Sequence, residues 1–95
     1  MNWTAIEGDD RGAVKLYALS TCGWCRKTKA YLDELQVAYQ YRYVDMLTGS
    51  EREEAISEMA RWNPARSYPT LVVDEEKAVV GFKPDKIKEA LGNGG

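Results

Sequence analysis

The stretch that most restricts the fold of this 95-residue chain runs from Ala13 to Asp45, where two strand-type runs flank a helix-type run and the only two cysteines sit at the first junction. Ala13-Val14-Lys15-Leu16-Tyr17-Ala18-Leu19 is short and mostly apolar, and Ser20-Thr21 closes it. From Arg26 to Gln36 the apolar residues Ala30, Tyr31, Leu32 and Leu35 recur at three- and four-residue spacing, which predicts an amphipathic helix whose first turn carries the cysteines. Val37 to Asp45 then predicts a strand with Tyr39, Tyr41 and Tyr43 packing on one face and Gln40 and Arg42 on the other. Two strands joined through one helix lie parallel with a right-handed crossover.

The second half of the chain completes the sheet. Ser50-Glu51-Arg52-Glu53 matches a capping box with Ser50 as N-cap, and Ala55, Ile56, Met59, Ala60 and Trp62 form the apolar side of the helix that follows. Asn63-Pro64 stops that helix. Thr70-Leu71-Val72-Val73 and Ala78-Val79-Val80, separated by Asp74-Glu75-Glu76-Lys77, predict a hairpin. Pro84 opens a short closing helix with Ile87, Ala90 and Leu91 as its buried stripe and Gly92 as terminator. The expected fold is α/β, a mixed four-stranded sheet with about three flanking helices. Residues 1–12 are expected to form a flexible N-terminal extension, with Trp3 either docked or exposed, and residues 13–95 a single domain.

Cys22-Gly23-Trp24-Cys25 reads as a dithiol redox centre. At a helix N-terminus, unpaired backbone N–H groups and the positive end of the macrodipole favour a thiolate at Cys22. Arg26 and Lys27 add cations that are expected to tune it. Such surroundings bring a thiol to about 3.5–7.5, so Cys22 is the expected nucleophile and Cys25, deeper in the helix, the expected resolving thiol. A zinc site would need about four ligands. The chain has no histidine and no second cysteine pair, so no metal is expected. A structural disulfide here would close a very short loop and restrain little chain entropy. The lack of histidine also removes a Cys–His dyad.

Composition narrows the setting. A net charge of −2 gives no support to nucleic-acid binding. Glu51, Glu53, Glu54 and Glu58 read as a solvated helix face. No apolar run approaches the roughly 18 residues of a membrane span, and Met1 to Glu7 lacks the features of a signal peptide. The expectation is a cytoplasmic protein, where a vicinal cysteine pair is more often catalytic than a permanent staple.

With Cys-x-x-Cys after the first strand and Ser67-Tyr68-Pro69-Thr70 opening the third, residues 14 to 92 resemble the glutaredoxin branch of the thioredoxin superfamily. The resemblance implies a thioredoxin/glutaredoxin fold and a cis Pro69 set against the cysteine pair. It also implies that the backbone of Tyr68 pairs with an extended segment of substrate; Trp24, Gly81 and Phe82 are expected to supply further binding surface. Two departures bear on the electron donor. Leu19 stands where glutathione-using members carry Lys or Arg, and Gly81-Phe82-x-Pro84-Asp85-x-Ile87 replaces their Gly-Gly region, leaving Arg66 as a remaining carboxylate partner. That last stretch is similar to the C-terminal signature of NrdH-type redoxins, which implies a thioredoxin-reductase-type donor and ribonucleotide reductase among the protein disulfide substrates. Gly23-Trp24 also departs from the Pro-Tyr of many glutaredoxins and the Gly-Pro of thioredoxins, leaving the redox potential open. The expected activity is a monomeric thiol–disulfide oxidoreductase cycling Cys22 and Cys25 with no other cofactor. The rival readings are a glutathione-dependent glutaredoxin or [2Fe–2S] carrier, and a non-catalytic thioredoxin-like adaptor.

Overall fold

The computed structural model describes residues 3–92; the ends of the expected extension and domain, residues 1–2 and 93–95, lie outside the described residues. In chain order the elements are β1 (Thr4–Ile6), β2 (Val14–Ala18), α1 (Gly23–Glu34), β3 (Tyr39–Tyr43), a 3₁₀ turn (Val44–Met46), α2 (Gly49–Trp62), β4 (Thr70–Val73), β5 (Lys77–Val80) and α3 (Pro84–Ala90). The sheet has five strands in the order β1-β3-β2-β4-β5, not four. β2 and β3 are parallel, as a strand–helix–strand unit requires, and β4 and β5 are antiparallel partners.

The fifth strand comes from the segment expected to be a flexible extension. Thr4, Ala5 and Ile6 pair antiparallel with Tyr41, Gln40 and Tyr39. Asp9 then donates its N–H to the Gln36 carbonyl at 2.8 Å and accepts from Ala38 at 2.7 Å. Two residues of this segment answer to shape. A Cβ on Gly8 would lie 2.6 Å from the Val37 backbone, and Gly12 adopts φ +97° beside the Asp74 carboxylate. Trp3 docks edge-on to Tyr17 with ring centroids 5.2 Å apart.

One face of the sheet carries α1 and α3 over a core of Leu16, Leu32, Leu71, Val73, Val79 and Ile87. The opposite face is closed by α2 through Ala55 and Met59 against Tyr17 and Val72. α3 follows the sequence pattern, with Pro84 in its first turn and Ile87, Ala90 and Leu91 buried. α1 departs from it in which positions it buries. Its start at Gly23, with Cys22 as N-cap, is the expected one, but the buried positions include Cys25 and Thr28 beside Leu32, and Ala30 faces solvent. α2 starts at Gly49 with Thr48 as N-cap and no side-chain capping bond, so the Ser50 capping box does not form. Ser50 already lies inside the helix.

Of the acidic group on α2, Glu58 turns inward. It accepts hydrogen bonds from the Tyr17 hydroxyl and from Arg42 Nη2, both at 3.1 Å. The Arg42 guanidinium lies 4.5 Å from the Trp3 ring centroid, which shields a largely buried cation whose Nε has no hydrogen-bond partner among the described residues. On the other face of β3, Tyr39 is buried and Tyr41 and Tyr43 are half-buried, and Lys29 donates to the Tyr43 hydroxyl at 3.0 Å. Among the described residues no helix is long and apolar enough to cross a membrane.

Candidate active site

The chain leaves the central strand β2 at Ala18 and turns directly into α1. Cys22 is the N-cap, with extended backbone (φ −94°, ψ 119°), and its Sγ accepts the backbone N–H of Cys25 at 3.2 Å. A serine or aspartate oxygen usually does this work, so here the sulfur occupies the position where a helix offers unpaired donors. Both cysteines are thiols; Cys22 is half-buried, whereas Cys25 is 1% exposed. Burial, then the hydrogen bond and charge of Cys22, push the Cys25 thiol from 9.0 up to about 12. The two sulfurs therefore have different surroundings, one accessible and one held protonated behind it.

The loop before Cys22 is tied to the 3₁₀ turn that follows β3. Asp45 accepts the Ser20 N–H at 2.9 Å and the Ser20 hydroxyl, and these bonds hold its carboxyl below the ordinary 3.8. On the other side of β2, the Tyr68–Pro69 peptide is cis. Continuing the β2–β4 register, in which Tyr17 faces Thr70, sets Pro69 beside Ala18 at the point where the cysteine loop departs. Gly81, at φ +85°, donates its N–H to the Pro69 carbonyl at 2.8 Å. Behind Pro69, the buried Asn63 side-chain nitrogen donates to the Ser67 carbonyl, the Ser67 hydroxyl and Thr70 Oγ1 at 3.0–3.1 Å. The loop carrying Pro69 is thus tied to the end of α2 and to the start of the Gly81-Phe82 segment.

An aromatic surface borders the sulfurs. Trp24 is 58% exposed and stacks on Phe82 at 6.2 Å between centroids, and Phe82 meets Tyr31 edge-on at the same distance. Lys27 Nζ lies 4.8 Å from the Trp24 ring centroid, so its charge sits on the indole face. Arg26 is exposed and donates its backbone N–H to the Cys22 carbonyl at 3.1 Å. Tyr68 is half-buried against both apolar clusters, and burial raises its hydroxyl pKa. Arg66 is exposed on the 63–70 loop at φ +56°. The fold therefore brings Cys22, Cys25, Trp24, Tyr68, Pro69, Gly81 and Phe82 to one end of the sheet.

Asp45 and Asn63 escaped the sequence reading. Asp45 was legible in principle: the parallel β2–β3 register pairs Ala18 with Tyr43, so two residues further on Ser20 meets Asp45. Asn63 carries no such signal, because its partners follow a turn whose path local pattern does not set.

A family model described as Glutaredoxin matches residues 14–78. The fold is similar to the crystal structure of the glutaredoxin from Methanosarcina mazei Go1, at 50% identity and TM-score 0.91 over 97% of this chain and 89% of that one. It is also similar to Methanosarcina acetivorans methanoredoxin, at 49% identity and TM-score 0.86 over 90% of each chain. A glutaredoxin-like 8.6 kDa protein in the rubredoxin operon of Clostridium pasteurianum is 28% identical over 78 residues, covering 82% of this chain and 96% of that protein.

Proposed function

The chain belongs to the glutaredoxin family and is a thiol–disulfide oxidoreductase, and from that premise we propose that it carries electron pairs to protein disulfides through Cys22 and Cys25, recharged by a thioredoxin-reductase-type donor. The observation that carries the role assignment is the asymmetry of the pair. Cys22 Sγ is accessible and accepts an N–H bond at the helix start, while the Cys25 thiol is buried and pushed up to about 12.

The Cys22 thiolate attacks one sulfur of the substrate disulfide; that S–S bond breaks, and the other substrate sulfur leaves as a thiolate. Once Cys22 is in the mixed disulfide it no longer carries charge. The contribution of that charge to the raised Cys25 pKa then disappears, although burial still opposes ionisation. Cys25 gives up its proton to a departing substrate thiolate, directly or through solvent, and attacks Cys22 Sγ; the Cys22–substrate S–S bond breaks, the second substrate sulfur leaves as a thiolate, and a Cys22–Cys25 disulfide remains. Two electrons have passed to the substrate, and the donor returns two electrons and the protons. Tyr68 and Pro69 offer backbone to an extended substrate segment, and Trp24 and Phe82 offer apolar surface. Leu19 and the Gly81-Phe82 stretch support a donor other than glutathione, and the likeness of that stretch alone to NrdH-type redoxins supports ribonucleotide reductase as a target.

Cys22→Ser is expected to abolish reduction of an insulin-type disulfide, and Cys25→Ser to accumulate a mixed disulfide visible by mass spectrometry. Full activity in the Cys22 variant would exclude the role assignment. Running the same assay with NADPH and thioredoxin reductase against glutathione and its reductase tests the donor. Faster turnover with the first is expected, and preference for glutathione would overturn that part of the reading.

A further inference from the structure

β5 is an edge strand, with β4 on one side and no strand on the other among the described residues. Gly81 donates to Pro69, and the register pairs Val79 with Leu71 and Lys77 with Val73. In an antiparallel ladder the residues bonded to the partner strand alternate with residues whose N–H and C=O point away. Ala78 and Val80 therefore point their backbone groups outward. Beside them lies a groove of about 350 Å³ between β5 and α3, with Val79 and Ala90 among its apolar lining and Lys77, Lys83, Lys86 and Glu89 among its charged lining.

Three lysines against one carboxylate make this groove basic on a chain whose net charge is −2. Lysine on an edge strand also repels a second copy bearing the same charges. The groove lies next to the reactive end, since β5 runs through Gly81 into Phe82, which stacks on Trp24. We propose that β5 is a docking edge for an extended acidic segment of a partner protein, which adds as a sixth strand through Ala78 and Val80 while its carboxylates meet Lys77, Lys83 and Lys86. Strand addition supplies main-chain hydrogen bonds, and the lysines supply selection by charge. The interaction needs no cysteine chemistry, so it stands apart from the redox reading.

The test uses the full-length reduced protein, labelled with ¹⁵N, and a cysteine-free peptide of about eight residues alternating glutamate with valine. The expected result is that the Ala78 and Val80 amides shift downfield and gain protection from hydrogen exchange, and that raising the salt weakens binding. The paired charge reversals Lys83→Glu and Lys86→Glu should weaken binding at least about tenfold, and a lysine–valine peptide should not bind. Ala78→Pro removes an outward N–H without touching the β4 ladder, so it should lose the peptide and keep disulfide reduction. Unchanged affinity in the charge-reversed protein would overturn the proposal. So would peptide-induced shifts confined to Trp24 and Tyr68, or self-association through β5 in sedimentation without peptide.

Discussion

At the residue scale, the chemistry of the site rests on unequal surroundings for like groups. Cys25, Tyr17 and Tyr39 all have raised pKa values, Cys25 and Tyr17 to about 12. Burial is the first cause in each, followed by Cys22 for Cys25, Glu58 for Tyr17 and Asp33 for Tyr39. Each group is neutral when protonated, so the folded state holds its proton more tightly than the unfolded chain. Their contribution to stability is complete below about pH 9 and is lost as the pH rises toward 12. Urea midpoints of the reduced protein should therefore fall across that window. The oxidised protein, which has no Cys25 thiol to titrate, should fall less steeply. Asp45 holds Ser20, two residues before Cys22, by accepting its N–H and hydroxyl, and its expected role is to position Cys22 through that bond. Asp45→Ala is expected to lower the rate of disulfide reduction by roughly three- to tenfold, while Asp45→Asn, which keeps an acceptor oxygen, restores part of it. An equal loss of rate in both variants would count against the positioning role.

At the scale of elements, the two walls of the site are held by different means. α1 is placed by a sulfur N-cap and by the apolar positions Cys25 and Leu32, all encoded within one short stretch. The 63–70 loop is placed by Asn63, whose side-chain nitrogen is committed to Ser67 and Thr70. Removing that amide leaves buried acceptors short of a donor, so Asn63→Ala should cost about 1–3 kcal/mol in denaturant unfolding. Asn63→Asp should cost more, because a carboxylate would face the Ser67 carbonyl. The α2 start shows the reverse case, a local motif without effect. Ser50 and Glu53 have capping-box spacing, yet the helix begins at Gly49, with φ +59°, and Ser50 falls inside it.

Across the whole molecule, the N-terminal segment is part of the sheet. Its turn-rich acidic composition resembles a loose tail, but β1 pairs with β3 and Trp3 covers the Arg42 guanidinium. Gly8 is the position where this closure is tightest, with the Gln36 to Ala38 backbone within 2.8 Å of any added Cβ. Gly8→Ala should therefore lower the thermal midpoint by several degrees, on the order of 1–3 kcal/mol of overpacking. Hydrogen exchange should quicken first at Thr4 to Ile6. Protection there equal to the unsubstituted protein would show that the approach relaxes at little cost.

The order of the elements from β2 onward, the parallel first pair, the hairpin, the closing helix and the place of Cys22 at a helix start were all determined by the sequence alone. Each depends on periodicity, turn residues and cap chemistry spanning a few positions. Only the tertiary structure decided that Asp45 holds Ser20, that Asn63 holds the Pro69 loop, that Glu58 turns inward to Tyr17 and Arg42, and that the first residues form a fifth strand. Those contacts join residues set side by side by strand register and layer packing. Their free energy appears only after the sheet has formed, so local patterns in the chain carry little trace of them.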